Sequence, residues 1–411
     1  ITFKCLEEFL NNLKVLIGFN TTWARDFGKK GMKIGDTELI RKPQRWISKN
    51  GTAYQPQPIS DTYATLTIGT NKQIGYDWGA FEEVLSIDDS YERYFKTSIT
   101  QIANDYDDLA SQFAYLNTNN FSGVIGSNPA TLADSQNLFL LALAILQENG
   151  CPTGDLTAVL SPRQAAAVMQ YFNTNFNPQN QLGEEFRSGR LMSSLLGFAQ
   201  ASIDQNLWVH TVGTFTGTPL VSVASVNGDT QIVTNGWTAN TDYVNAGDTF
   251  TVAVVNNVNP KNRRSTNVLK RFQVAGTFGQ QYFADGSGNM TLPLSGGLTL
   301  YDQNQQYADL DVLPAVGAAL TFWPGTASPS GKSGVQGLAF APDAFAFASI
   351  ELPKMDGCGI AEIVKDPKTQ IALALHRGSD IRTFERISRV DSAGGFSALY
   401  PDNESCKMEG A

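Results

Sequence analysis

The sequence predicts a discontinuous α+β domain interrupted by an all-β domain. Three observations carry this. Helical periodicity opens the chain and returns over a long apolar stripe; a later stretch has many short strands and almost no helical period; mixed patterns then resume. At 411 residues the chain is long enough for two or more compact units.

Phe3, Leu6, Leu10, Leu13 and Ile17 recur at helical spacing with Lys4, Glu7, Asn11 and Lys14 between them, which describes a short amphipathic helix. One face needs a partner. From Gly35 to Trp78 the period becomes two: Ala64, Leu66 and Ile68 alternate with Tyr63, Thr65 and Thr67, and Asn50-Gly51 with Pro56 and Pro58 supplies turn chemistry. This predicts a long β-hairpin with a loose tip. Its ascending arm carries Arg41, Lys42, Arg45 and Lys49, a cluster that either protects a solvated strand edge by charge or contacts another subunit. The best helix is expected to start at Asp88 or Asp89, which can cap its amides, and to run to about Leu116. Phe95, Ile99, Ile102, Tyr106, Leu109, Phe113 and Leu116 alternate spacings of four and three, so they form one stripe. Such a helix is roughly 40 Å long and suits either a coiled coil or a place across a sheet.

Two more helices are expected, around Ser135 to Gln147 and Pro162 to Phe172, with the apolar strand Leu156 to Leu160 between them. The longest apolar run, Leu138 to Leu146, is far short of the ~20 residues a membrane helix needs and reads as a buried helix. Between Val212 and about Gly334, strands such as Thr249 to Val255, Phe272 to Val274, Met290 to Leu294 and Ala319 to Trp323 are separated by Asn227-Gly228, Asn235-Gly236 and Asp285-Gly286. This is a β-barrel or sandwich insert. Helix and strand patterns return with Leu338 to Leu352 and Ile371 to Leu375, so the first unit surrounds the second. Within the insert, Lys261, Arg263 and Arg264 repel one another, so their loop must be solvated or meet carboxylates. Such a loop is either a solvated tip or one that reaches acidic residues on a neighbouring subunit and steers their register.

Hydrophobic residues make up 42% and charged residues 17%, an ordinary globular balance. The net charge of -9, from 30 Lys plus Arg against 39 Asp plus Glu, provides no general phosphate-neutralising surface and argues against sequence-specific nucleic-acid binding. Cys5, Cys151, Cys358 and Cys406 are scattered, which fits a reducing compartment better than a disulfide or zinc scaffold. No basic-then-apolar signal segment opens the chain, and its first residue is Ile1, so upstream residues are expected to have been removed or to lie outside this sequence.

Few motifs carry chemistry. His210 and His376 are the only histidines, and GxSxG, HExxH and CxxC are missing. Gly325 to Ser333 (GTASPSGKS) resembles a phosphate-binding loop built around Lys332, but it has five residues between the glycines where the motif has four. Asp285, Ser287 and Asn289 suggest a calcium loop until Met290 falls where glycine is needed and Gly296 where glutamate is. Asp105, Asp107 and Asp108 read as a solvated helix face. No cofactor, metal or catalytic residue is expected.

Four segments resemble, in the same order, the major coat proteins of short-tailed bacteriophages: DLTAVLSPRQAAAVM (Asp155 to Met169), LLGFAQASIDQNLWVHTVG (Leu195 to Gly213), AGDTFTVAVVNNVNP (Ala246 to Pro260) and LAFAPDAFAFASIELP (Leu338 to Pro353). Those proteins are a branch of the Hong Kong 97-type capsid family with an inserted β-barrel domain. The resemblance implies an HK97-like capsid fold: an N-terminal arm over 1–34, an extended loop over 35–80, a peripheral domain with a spine helix over 81–128, an axial domain over 129–212, the inserted domain over 213–336, and a return to the axial and peripheral domains with a tail over 337–411.

It also implies a major capsid protein that assembles with itself into hexamers and pentamers of an icosahedral head enclosing double-stranded DNA. Scaffolding protein and portal would be partners during assembly in the host bacterial cytoplasm, and packaged DNA would be touched without sequence preference; no membrane is involved. Some relatives join a loop lysine to an asparagine on a neighbour. Lys42 and Lys49 are in about the right element, but no acidic catalyst marks either, so no crosslink is expected. Asp391 to Ala411 matches the family pattern poorly. One rival is a carbohydrate-binding or glycoside-hydrolase protein, suggested by six Trp and thirteen Tyr, which needs paired acids ~5 to 10 Å apart. Another is a phage tail or decoration protein, which would lack the amphipathic arm and the spine helix.

Overall fold

A computed structural model describes residues 2–22, 37–59, 61–79, 95–175, 196–326, 328–355, 357–366, 370–380, 382 and 385–411. They fall into two discontinuous compact units. Ile1–Arg41, Tyr63–Ala110 and Phe345–Leu399 form the first, and Lys42–Thr62, Ser111–Ala344 and Tyr400–Ala411 form the second.

A five-stranded antiparallel sheet organises the first unit. Its long strand, Glu385–Ala398, pairs with Thr70–Gly79, with Ala372–Asp380 and, at its far end, with Phe345–Ile350; Ile360–Lys365 lies beside Ala372–Asp380. Helix α1 (Thr2–Asn12) packs on the Ile360–Lys365 strand. It buries Cys5, Leu6 and Phe9; the chain then leaves the helix, buries Leu13, Val15 and Leu16, and turns Ile17 outward at 42% exposure. The expected stripe through Leu10 and Ile17 is thereby corrected. A helix that stops at Asn12 cannot carry one face on to residue 17, and the buried face centres on Phe9. Phe9 meets Tyr106 edge-on at 6.3 Å, Tyr106 meets Phe347 at 5.9 Å, and the Tyr106 hydroxyl donates to the Ser392 carbonyl at 2.8 Å.

Helix α2 spans Lys96–Asn117. The expected caps Asp88 and Asp89 lie outside the described residues. Phe95, Ile99, Ile102 and Tyr106 are buried as the stripe predicted, but Leu109, Phe113 and Leu116 are only half-buried. Burial passes instead to Ala103, Ala110, Ala114 and Tyr115. The four-three alternation has a period of 3.5, whereas a straight helix has 3.6, so the stripe drifts by ~20° per heptad when no partner helix coils with it. Asp107 is also corrected. It is fully buried, and its carboxylate accepts from the backbone N–H groups of Lys14 (2.6 Å), Val15 (3.1 Å) and Leu16 (2.9 Å).

Thr37–Lys42 and Thr62–Thr67 form a two-stranded sheet in which Ala64, Leu66 and Ile68 are buried and Tyr63, Thr65 and Thr67 exposed, as the alternation predicts. The expected hairpin is nonetheless shorter, because after Gly69 the chain enters the five-stranded sheet as Thr70–Gly79.

In the second unit a six-stranded sheet runs in the order Phe121–Ser122, Ser405–Glu409, Ser333–Phe340, Thr157–Leu160, Gln200–Ile203, and Val209–Thr211 pairs with the start of Ser333–Phe340. Helix α3 (Leu132–Glu148) begins where the Thr131 side chain accepts from the Asp134 amide, and α4 (Pro162–Asn175) packs beside it. α3 buries Leu138, Phe139, Ala142, Ile145 and Leu146 but exposes Leu140 and Leu141, so the apolar run is one-faced rather than wholly buried. The Gly325 to Lys332 segment leads into a strand, without the helix N-terminus a phosphate loop requires.

Between Val212 and that strand lie three small sheets around one core. They are Ser265–Gln273, Thr249–Val258 and Leu320–Phe322; Met290–Pro293, Gln231–Asn235 and Leu220–Val221; and the pair Tyr243–Asn245 with Gln281–Phe283. Phe250, Phe272, Phe322 and Trp237 fill the centre. Gly228 and Gly236 take the left-handed backbone that their turns require, whereas in the Asp285 turn Gly288 does so and Gly286 does not. Leu338 to Leu352 becomes two strands, Ser333–Phe340 in the second unit and Phe345–Ile350 in the first, split by the short helical turn Pro342–Ala344. Helix α5 (Pro401–Glu404) then feeds Ser405–Glu409, whose five residues are all buried.

Candidate functional site

The segment 43–61 carries no strand among its described residues. Pro43, Pro56 and Pro58 withhold the amide donors that would extend the ribbon beyond Lys42 and Thr62. Side chains bridge the limbs instead: Gln44 Nε2 donates to the Pro58 carbonyl at 2.9 Å, Gln57 Oε1 accepts from the Ile47 amide at 3.0 Å, and Gln57 Nε2 donates to the Ile47 carbonyl. Beyond these rungs the loop is solvated, with Trp46 59%, Tyr54 91% and Ile59 77% exposed. Three large apolar side chains thus stand exposed on one loop.

The four cations of this arm do not act as one cluster. The Arg41 guanidinium sits 5.8 Å over the Tyr63 ring, and Lys49 is exposed. Lys42 Nζ lies 5.4 Å over the Tyr400 ring; burial and the Arg45 charge lower its pKa against the pull of Asp309. Arg45 Nη1 bonds Asp309 Oδ1 at 3.1 Å, and Gln306 Nε2 donates to the Arg45 carbonyl at 2.6 Å.

In the second cationic loop Arg263 adopts a left-handed backbone, φ +57°, and its amide donates to the Asn259 carbonyl at 2.8 Å. Its guanidinium donates to the carbonyls of Gln306 (3.1 Å), Gln303 (2.7 Å) and Gln305 (2.5 Å). The repulsion among Lys261, Arg263 and Arg264 is thus relieved in a way not expected from composition, because one cation is turned onto backbone carbonyls of its own chain. Lys261 and Arg264 remain exposed, and the Lys261 stem lies close to Gly150.

A buried ionic cluster has no counterpart among the sequence expectations. The Tyr115 hydroxyl, at the end of α2, shares a hydrogen bond with His210 Nδ1, and His210 Nε2 faces Asp248 Oδ1 at 2.6 Å. That carboxylate also accepts from the amides of Gly213 (3.0 Å) and Asn245 (2.8 Å). Lys407 Nζ, fully buried between the Tyr115 and Trp323 rings at 4.8 and 5.3 Å, donates to the Gly247 carbonyl at 3.1 Å. Gln336 Nε2 donates to Glu409 Oε2 at 2.6 Å. Burial depresses the His210 pKa against the pull of Asp248, lowers Lys407 to about 8 and raises Glu409 to about 8. A Tyr, His and Asp in line suggest a proton relay, but here the residues are packed beneath aromatic rings. They hold the turn at Gly247 against the Ser405–Glu409 strand.

The family described as P22 coat protein, gene protein 5, matches residues 31–410. The chain belongs to this family. It is a major capsid protein of a bacteriophage, a structural component of the virion that assembles with copies of itself into the capsid shell. The match runs through residue 410, so the poor resemblance noted for Asp391 to Ala411 is corrected: this segment is the end of one sheet's long strand and a buried strand of the other sheet. No curated protein matches the chain in sequence.

Solved structures similar to this coat protein include one from Mycobacterium phage Che8 (13% identity, 96% of this chain and 90% of that one, TM-score 0.46). The capsid of the cyanophage P-SCSP1u matches at 10% identity over 92% of this chain and 83% of that one, TM-score 0.43. The mature capsid of bacteriophage PhiM1 matches at 9% identity over 91% and 82%, TM-score 0.43. The family match, rather than these distant likenesses, carries the assignment.

Proposed function

We propose that this coat protein closes as hexamers and pentamers into an HK97-like icosahedral shell around double-stranded DNA, assembled in the host bacterial cytoplasm with a scaffolding protein and a portal. In this reading 1–34 is the N-terminal arm and the extended loop runs from 35 to the start of the Thr70–Gly79 strand, while 81–128 is the peripheral domain with α2 as its spine. Residues 129–212 form the axial domain and 213–336 the inserted domain, and 337–411 returns through the first two. DNA meets the inner surface without sequence preference, in keeping with the net charge of -9.

The observation that supports this most directly is the loop of 43–61. Among its described residues none is buried, and Trp46, Tyr54 and Ile59 are exposed. Covering a large apolar side chain is worth about 1.5–3 kcal/mol, so a neighbouring copy laid under this loop gains from each one, and a closed shell repeats the gain at every subunit. Lys261 and Arg264 are the exposed cations that would set register against acidic residues of a neighbour. Electron microscopy of the expressed protein, with and without its scaffolding protein, tests the reading. Closed shells are expected from the native chain, and their loss is expected when Trp46, Tyr54 and Ile59 are all replaced by Ser. Only compact monomers at high concentration, even with scaffold present, would refute it.

A further inference from the structure

The cations Arg45 and Arg263, far apart in sequence, meet on one turn of the inserted segment. The turn runs from Asp302 to Asp309 and is built from its own bonds: Asp302 Oδ1 accepts from the Asn304 amide at 2.9 Å, and the Gln305 amide donates to the Asp302 carbonyl at 3.0 Å. Its base is rooted in the core. Leu300, Ala308 and Leu310 are buried, and the amides of Asp309 and Leu310 both donate to the Tyr301 carbonyl, at 3.2 and 3.1 Å. Arg263 gathers the carbonyls of residues 303, 305 and 306 from one side, which holds the turn in a single shape.

From that turn two groups reach Arg45. Asp309 takes its guanidinium and Gln306 takes its backbone carbonyl. Attachment at a side chain and a backbone atom of the same residue fixes direction as well as position, which one ion pair cannot do. The attachment lies one residue before Trp46, at the root of a loop whose limbs are bridged, among the described residues, by side-chain rungs.

We infer that Arg45, Asp309, Gln306 and Arg263 form a clasp through which the inserted segment aims the 46–59 loop at the neighbouring copy. The inference rests on the reading of that loop as an inter-subunit element. The pair is partly buried, with side-chain exposures of 27% for Arg45 and 16% for Asp309, and because it joins a loop to a turn rather than two core elements, its main effect is on where the loop points. Asp309 lies among Arg45, Lys42, Lys270 and Asp402; burial holds its carboxyl above the usual range, and the Lys270 and Arg45 charges oppose this.

The test uses the full-length unassembled subunit, with Asp309→Asn, Arg263→Gln, and the exchange of Arg45→Asp combined with Asp309→Arg. Tryptic cleavage after Lys49 reports how often the loop leaves its pose, thermal unfolding reports the fold, and light scattering reports shell assembly. Asp309→Asn and Arg263→Gln are each expected to speed cleavage about tenfold and to slow assembly, with the unfolding midpoint nearly unchanged. The exchanged pair is expected to restore cleavage and assembly toward wild type. Unchanged cleavage in both single variants would overturn the clasp and leave the loop's contact with a neighbour untouched. Faster cleavage with normal assembly would overturn the aiming role by showing that the loop does not serve the neighbour contact.

Discussion

Asp107 lends itself to a quantitative prediction, because its environment is simple and fully enclosed. The carboxylate accepts from three consecutive amides, those of Lys14, Val15 and Leu16, and neither Val15 nor Leu16 has any solvent access. Replacing Asp107 with Ala leaves two buried amides and one partly buried amide without an acceptor. At about 1–3 kcal/mol for each unpaired buried group, the loss is roughly 3–6 kcal/mol, a large part of the ~5–15 kcal/mol that holds a domain folded.

Asp107→Asn is more informative. One side-chain oxygen can still serve Val15 and Leu16, both of which bond Oδ1, but the amide nitrogen then confronts the Lys14 N–H across 2.6 Å as donor against donor. The expected cost is about 1–3 kcal/mol, clearly below that of the Ala variant. Urea unfolding of the unassembled subunit measures both. A cost below about 0.5 kcal/mol for each variant would show that the N-terminal turn is not held by this carboxylate and would refute the reasoning.

Three further outcomes follow from the same geometry. Ile102→Asp buries an unpaired charge and should cost at least ~4 kcal/mol, abolishing soluble subunit, whereas Leu109→Asp at a half-buried position should cost roughly 1 kcal/mol; comparable soluble yields of the two would contradict the observed drift of the stripe. Glu409 titrates at about 8 in the fold against an ordinary 4.5, so the folded chain keeps a proton that the unfolded chain has released, and stability falls as pH rises through that window. Glu409→Gln removes this slope, so urea midpoints taken at about pH 5 and about pH 8 should show the variant gaining on wild type, and a constant difference would count against a protonated Glu409. Reversing the charge of Lys261 and Arg264 should slow assembly while leaving the melting temperature nearly unchanged, and normal assembly at both low and high salt would make them solvated tips only.

Much of the secondary structure was legible because its causes are local. The alternation at Ala64, Leu66 and Ile68 sets which face of a strand is buried, and Gly228 and Gly236 mark turns that need a left-handed residue. The stretch from Thr249 to Phe322 could be read as strands from β-branched and aromatic runs alone. The family, too, could be read from four segments in order, and the match over residues 31–410 bears it out.

What the sequence by itself determined, then, was the periodicity of its elements and the company it keeps among phage coat proteins. Tertiary structure decided which partners the polar groups meet. Asp107 looked like one of three acids on a wet helix face until amides 91 to 93 residues away closed over it. Arg263 looked like a surface cation until three carbonyls some 40 residues on turned toward it. The cluster of Tyr115, His210, Asp248 and Lys407 left no trace in spacing, since its members come from a helix, two strands and a turn far apart in sequence. Hydrophobic pattern repeats along a chain and can be counted, but a buried charge is tolerated only where distant groups satisfy it, and that is a property of the folded chain alone.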